Sequence, residues 1–176
     1  MEWLIIIGIM FTAMSPVMWL KPTRGQRRHS RLRRMALDKG VNIVSREAPL
    51  HLTKERMPAY RLGYPGDQPG PDFMLVRDAV ASAALDRFIP GWRFRVAPLR
   101  PLPDAARQRL EELATGLPDD ALVVQSSEVA LTLWWWESGT AEGFAPCIET
   151  AEALRDSLKG HADRPGAGPL AVPGSR

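Results

Sequence analysis

The stretch that decides the fold is 129–136, with the sequence VALTLWWW. Side chains of a β-strand point alternately to the two faces of its sheet. One face of this strand is wholly apolar and carries Val129, Leu131, Leu133 and Trp135. We therefore predict a strand that buries this face. The other face, with Trp134 and Trp136, is either packed under a helix or exposed as an aromatic patch that contacts a membrane or a partner.

The surrounding sequence predicts a folded domain over residues 41–160. Strands are predicted where apolar β-formers lie between turn residues, at 41–45, 60–64, 73–77, 92–96, 121–125 and 129–136. Helices are predicted at 78–88, 103–117 and 147–159, and a loop at 46–58. This order predicts an α+β fold, a small two-layer sandwich with a mostly antiparallel sheet and helices on one face. Glycine and proline dominate 161–176, which predicts a disordered tail.

Residues 3–20, WLIIIGIMFTAMSPVMWL, contain no charged side chain. A helix of this length spans about 27 Å, which is enough to cross the hydrocarbon core of a membrane. We therefore predict a single transmembrane anchor over residues 1–20. The alternative is a cleaved signal peptide. It is disfavoured because the positive charges follow the apolar run instead of preceding it.

Residues 21–40 form a strongly basic segment that is predicted to be a juxtamembrane helix. Residues 1–39 contain eight basic residues (Lys/Arg) and two acidic ones (Asp/Glu), whereas the rest of the chain contains 15 basic and 18 acidic residues. Cationic flanks stay in the cytoplasm, so we expect a single-pass protein of the bacterial inner membrane with a periplasmic N-terminus and a cytoplasmic C-terminal domain. The alternative role of the arginines is only to set this topology.

The residues predicted to contact lipid or a partner are the arginines of this segment and two tryptophans: Arg24, Arg27, Arg28, Arg31, Arg33, Arg34, Trp134 and Trp136. A basic cluster of this kind favours the anionic headgroups of a membrane. Nucleic acid is disfavoured as a partner, because no aromatic residues lie between the arginines.

Three short motifs give the N-terminal region a family resemblance: Leu20-Lys21-Pro22, Gln26-Arg27-Arg28 and Leu37-Asp38-Lys39-Gly40-Val41. Over about the first 45 residues the chain resembles YajC, the small accessory subunit of the bacterial Sec translocase. It is also similar there to uncharacterised one-span membrane proteins of proteobacteria. The resemblance implies a place in an inner-membrane protein complex. The chain departs from the family pattern after Ser45, where Arg46-Glu47-Ala48-Pro49 replaces a Gly-Gly turn.

The sequence contains no recognisable catalytic, cofactor or metal motif. Cys147 is the single cysteine, and the three histidines are widely separated, which does not match a metal-site spacing. No nucleophile lies near a base, no glycine loop is suited to phosphate, and no small-molecule substrate is evident. We therefore expect a non-enzymatic, membrane-tethered interaction protein, as a translocase accessory subunit or in another inner-membrane assembly. The alternative is a binding module for anionic lipid or another envelope component.

Overall fold

A computed structural model describes Trp3, residues 23–50 and residues 55–163 of the chain. Its helices are α1 (Arg24–Asp38), α2 (Asp104–Gly116) and α3 (Ala141–Leu158). Its strands are β1 (Asn42–Glu47), β2 (Arg56–Gly63), β3 (Phe73–Arg77), β4 (Asp86–Ile89), β5 (Trp92–Val96), β6 (Ala121–Ser126) and β7 (Ala130–Trp135). A 3₁₀ turn, Asp78–Val80, lies between β3 and β4.

The seven strands form one sheet in the order β1-β2-β7-β6-β3-β5-β4. Every neighbouring pair of strands is antiparallel. The strand predicted from VALTLWWW is β7, and its residues are all buried. Val129, which was predicted on the buried face, precedes the strand and is 62% exposed. Strand β7 lies between β2 and β6 and is hydrogen-bonded along both edges.

The helices pack on one face of this sheet. Trp92 of β5 donates its indole N–H to the carbonyl of Ala114 in α2 at 2.8 Å. Phe144 of α3 stacks on Trp135 of β7, with ring centroids 3.7 Å apart. Helix α1 packs beside α3 and also touches β1. The main core therefore lies between this face of the sheet and the helices.

The opposite face of the sheet is also partly buried. Trp134 points to that face beside Ala59 of β2, and it is 7% exposed. Residues 48–50 follow β1 at one edge of the sheet, yet Arg95 of β5 donates a hydrogen bond to the carbonyl of Pro49. This contact links the segment after β1 to β5. Trp134 is buried, so the structure excludes an exposed aromatic patch at this residue.

The fold class predicted from the sequence is wrong. That prediction joined a single transmembrane helix to a small sandwich, whereas the described residues form a seven-stranded antiparallel sheet with three helices. Among these residues, no helix combines the length and the apolar character needed to cross a membrane. The predicted span 3–20 lies outside the described residues except for Trp3, and so do residues 164–176 of the predicted tail.

Three further stretches differ from the prediction, and one of them is helix α3, which begins at Ala141 instead of at residue 147. The predicted helix at 78–88 is a 3₁₀ turn followed by strand β4. Its alanines favour a helix, but Asp78 forms an ion pair with Arg93 at 2.9 Å and β4 pairs with β5. Tertiary contacts therefore override the local propensity. Strand β2 begins at Arg56, inside the predicted loop 46–58.

We expect the three adjacent tryptophans to contribute differently to stability. Trp135→Ala removes a fully buried ring and should lower the free energy of unfolding by about 3–5 kcal/mol. Trp134→Ala should cost nearly as much, because this ring is also buried. Trp136 is 40% exposed, so Trp136→Ala should cost less than about 1 kcal/mol. Urea unfolding of the full chain measures all three, and equal losses for Trp134→Ala and Trp136→Ala would contradict the burial of Trp134.

Candidate functional site

Glu137 is a buried ionisable residue in a strained backbone conformation. It directly follows β7, its side chain is 2% exposed, and its φ angle is 59°. Within the described part of the chain, no other residue except glycine has a positive φ. A left-handed conformation of this kind costs a residue with a Cβ atom on the order of 1–3 kcal/mol. Surrounding contacts must therefore hold Glu137 in place.

Three side chains from two other elements bind the carboxylate of Glu137. Arg33 of α1 donates from Nε to Oε1 and from Nη2 to Oε2, both at 2.8 Å. Tyr60 of β2 donates its hydroxyl to Oε1 at 2.8 Å. His29 of α1 places Nδ1 3.2 Å from Oε2. We call these four residues the Glu137 cluster; its bidentate arginine pair is the strongest geometry available to a carboxylate.

Glu137, Arg33 and Tyr60 have shifted pKa values that fix their protonation states at neutral pH. Burial acts to raise the pKa of Glu137, but the hydrogen bonds from Arg33 and Tyr60 outweigh it, and the pKa lies below the usual range. Burial and then the hydrogen bond to Glu137 raise the pKa of Tyr60 far above its ordinary value. The hydrogen bond to Glu137 likewise raises the pKa of Arg33. At neutral pH the cluster therefore holds a carboxylate, a protonated phenol and a guanidinium cation.

An aromatic wall supports the cluster from the core side. Tyr60 meets Trp135 edge to face with ring centroids 5.6 Å apart. It meets Phe144 of α3 in the same way at 5.7 Å, and Trp135 and Phe144 stack on each other. Because all three rings are buried, the hydroxyl of Tyr60 has little freedom to move. The cluster therefore joins α1 to the central strands and to α3.

The Glu137 cluster determines which side of α1 faces solvent. His29 and Arg33 lie on the inward side of the helix, together with the fully buried Leu32 and Ala36. The spacing i, i+3, i+4 and i+7 places these four residues on one face. The opposite side carries Arg27, Arg31 and Arg34, which are all exposed. We call these three arginines the basic face.

The basic face is unpaired in the described part of the chain. Arg27, Arg31 and Arg34, and also Arg28 beside them, form no ion pair or hydrogen bond with any described side chain. Two hollows lie along this side of α1. One, of about 250 Å³, lies between α1 and the start of α3. The other, of about 320 Å³, is lined by Ser30 and the basic face itself.

The structure divides the predicted contact residues into separate groups. Arg27, Arg28, Arg31 and Arg34 are exposed together on α1. Arg33 was also predicted to contact lipid or a partner; its guanidinium pairs with Glu137, and its side chain is 49% exposed. Trp134 is buried and therefore closed to a partner, whereas Trp136 keeps an exposed ring. Helix α1 begins at Arg24, and the side chain of that residue lies outside the described part.

Sequence reasoning missed Glu137, Tyr60 and His29. Glu137 is a single acidic residue after three tryptophans, and its partner Arg33 lies 104 positions away. No local pattern links two such residues. Among the described residues, no group of His, Cys, Asp and Glu is arranged to hold a metal ion.

Comparison with known proteins provides little guidance. No protein family matches the sequence, and no curated protein is similar to it. One solved structure, the crystal structure of the mycobacterial trehalose monomycolate transport factor A, TtfA, aligns with 77% of this chain and 95% of that chain. The identity is 12% and the TM-score is 0.43, so the alignment carries no argument about function. The YajC resemblance stays a prediction, because none of these findings concerns that family.

We expect the Glu137 cluster to make stability depend on pH in the acidic range. Glu137→Gln removes the charged acceptor of Arg33 and should lower the free energy of unfolding by roughly 2 kcal/mol at pH 7. Because the pKa of Glu137 is depressed in the folded chain, this difference should be complete above the unfolded pKa of about 4.3. It should shrink as the pH falls through the lower folded value.

Denaturant unfolding of both chains between pH 7 and pH 3 measures this difference. Glu128→Gln provides a matched control, since Glu128 is exposed and forms no ion pair in the described part. A difference between wild type and Glu137→Gln that stays constant over the whole range would contradict the ionised, hydrogen-bonded carboxylate.

Proposed function

We propose that the protein is a non-enzymatic binding module that docks on anionic lipid headgroups through the basic face of α1. The observation that carries the proposal is the absence of described ion-pair partners for Arg27, Arg31 and Arg34. Outside residues 1–39, acidic residues outnumber basic ones by 18 to 15. The domain therefore has carboxylates available, yet its fold leaves these three guanidinium groups without them.

The fixed orientation of α1 supports a role in docking. A free basic helix would lose conformational freedom when it bound a surface, and this loss would weaken binding. Here the Glu137 cluster and an ion pair between Lys39 and Glu149 of α3, at 2.7 Å, hold the helix to the domain. Thr23 and Gln26 close its first turn with reciprocal hydrogen bonds. The basic face is therefore organised before any contact is made.

Lipid headgroups fit this arrangement better than nucleic acid does. Basic side chains close to an anionic membrane surface each contribute about 1 kcal/mol. The described part of α1 carries no aromatic residue on which bases would stack.

The inner-membrane location expected from residues 3–20 stays a prediction, because residues 4–22 lie outside the described part. An acidic protein surface, such as one in a translocase assembly, is the competing partner. Binding to lipid vesicles that contain no other protein distinguishes anionic lipid from an acidic protein surface.

We expect the triple variant Arg27→Gln, Arg31→Gln, Arg34→Gln to bind vesicles containing phosphatidylglycerol on the order of 100-fold more weakly than wild type. Three lost contributions of about 1 kcal/mol each predict a change of this size. Wild-type binding should also weaken as salt rises, because exposed charges are screened. Sedimentation of the full chain with the vesicles measures both effects.

A matched control replaces Arg87, Arg100 and Arg109 with glutamine. These arginines are also exposed and form no ion pair in the described part, so this variant should bind like wild type if the position of the charges matters. If both triple variants bound the vesicles equally weakly, the loss of binding would follow from net charge alone, and the proposal would be overturned. Salt-independent binding, or equal binding to neutral vesicles, would also overturn it and leave an acidic protein as the partner to test.

A further inference from the structure

We infer that the groove between α1 and the start of α3 is a binding site for a single phosphate group, supplied by a phospholipid headgroup or by free phosphate. The inference rests on the proposed function and names the chemical group that this surface recognises. The groove is lined by Arg27, Arg28 and Arg31 on one side and by Thr140, Ala141 and Glu142 on the other. We call it the phosphate groove.

The size and charge of the groove favour a small anion. Its volume of about 250 Å³ lies below the range of roughly 300–1,000 Å³ that is typical of pockets for larger organic ligands. Three arginines line it, and none of their side chains has an ion-pair partner in the described part of the chain. Arginine binds phosphate oxygens with paired, charge-assisted hydrogen bonds. The side chains present therefore match the geometry of a phosphate.

The backbone on the α3 side supplies donors of the same kind. Thr140 caps the helix: its hydroxyl accepts from the N–H of Gly143 at 3.2 Å, and its carbonyl accepts from Phe144. The N–H groups of Ala141 and Glu142 have no acceptor among the described residues. Unpaired N–H groups at a helix start attract anions. In this structure they belong to residues that face three arginines across one groove.

The Glu137 cluster holds both sides of the groove. Glu137 binds His29 and Arg33 in α1, and it precedes Thr140 by three residues. Between them, the N–H of Ser138 donates to Asp120 at 2.9 Å. The two walls are thus tied to the same buried carboxylate, so the backbone of the groove is in place before a ligand arrives, and only the exposed arginine side chains must be ordered on binding.

Glu142 is the one carboxylate that lines the groove. It is exposed and lies in the first turn of α3, where a negative charge stabilises the positive end of the helix dipole. A phosphate in the groove would itself stabilise the positive end of the α3 dipole, and its negative charge would repel the carboxylate of Glu142. We therefore expect Glu142→Gln to bind phosphate more tightly than wild type.

The test compares two variants that each lose one arginine of α1. Arg28 lines the phosphate groove and not the second hollow, whereas Arg34 lines the second hollow and not the groove. The full chain in a neutral detergent is titrated with inorganic phosphate, and in a parallel arm with phosphatidylglycerol added to the micelles. The amide NMR shifts of Ala141 and Glu142 report on binding.

We expect these amide shifts to saturate at one phosphate per chain in wild type. Arg28→Gln should weaken binding by about tenfold or more, the loss expected for a charged hydrogen bond, and Arg34→Gln should change it less than about twofold. Saturation at a lower concentration with the lipid would identify a headgroup as the source of the phosphate, and saturation with inorganic phosphate alone would identify free phosphate. Unsaturable shifts, or equal effects of the two variants, would overturn the inference.

The same variants separate this inference from the proposed function. Salt-dependent vesicle binding that is lost in the basic-face variant, without amide shifts at Ala141 and Glu142, would leave the proposed function standing and overturn the phosphate groove. Saturable amide shifts without salt-dependent vesicle binding would support the groove and overturn lipid docking.

Discussion

The buried carboxylate of Glu137 connects the parts of the molecule that matter for its proposed role. It receives hydrogen bonds from α1 and from β2, and it lies in the short connection between β7 and α3. Without the carboxylate, the buried hydroxyl of Tyr60 would lose its acceptor, which is costly, whereas the side chains of Arg33 and His29 stay partly exposed to solvent. The strained φ of Glu137 is compatible with folding because these hydrogen bonds offset it.

The division of charge on α1 follows from this interaction. Arg33 forms a bidentate ion pair with Glu137. The regular geometry of the helix then places Arg27, Arg31 and Arg34 on the opposite side. A helix held only by Leu32 and Ala36 would be free to rotate slightly about its axis, because apolar contacts are not directional. The bidentate pair of Arg33 and Glu137 fixes that rotation. The structure thus uses one arginine to position the others.

Local sequence patterns predicted the apolar face of β7 and the helix that became α2. VALTLWWW alternates with a period of two, and Leu110 and Leu113 share the buried side of α2. The patterns failed where distant parts of the chain decide the outcome. The alanines at 79–84 favour a helix, but the pairing of β4 with β5 prevails there. Trp134 is buried, although the alternation in residues 129–136 alone does not decide whether its face is covered.

The candidate site was predictable only in part. A run of arginines beside apolar positions was sufficient to predict a basic helical face. Arg33 is paired whereas the other arginines of α1 whose side chains are described are not, and this pairing depends on Glu137, 104 residues away. The phosphate groove depends on where α3 begins relative to α1. Periodicity in one sequence describes a single element, whereas this site is formed between elements.

The central claim is that Glu137 holds α1 in its orientation, and amide hydrogen exchange of the full chain tests it most directly. In wild type, the amides of α1 should be protected along with those of α3. In Glu137→Gln, we expect α1 to lose protection by roughly tenfold or more, the change produced by about 2 kcal/mol of lost local stability, while β6 and β7 remain protected. Unchanged protection of α1 in the variant would show that apolar packing alone holds the helix and would contradict the account.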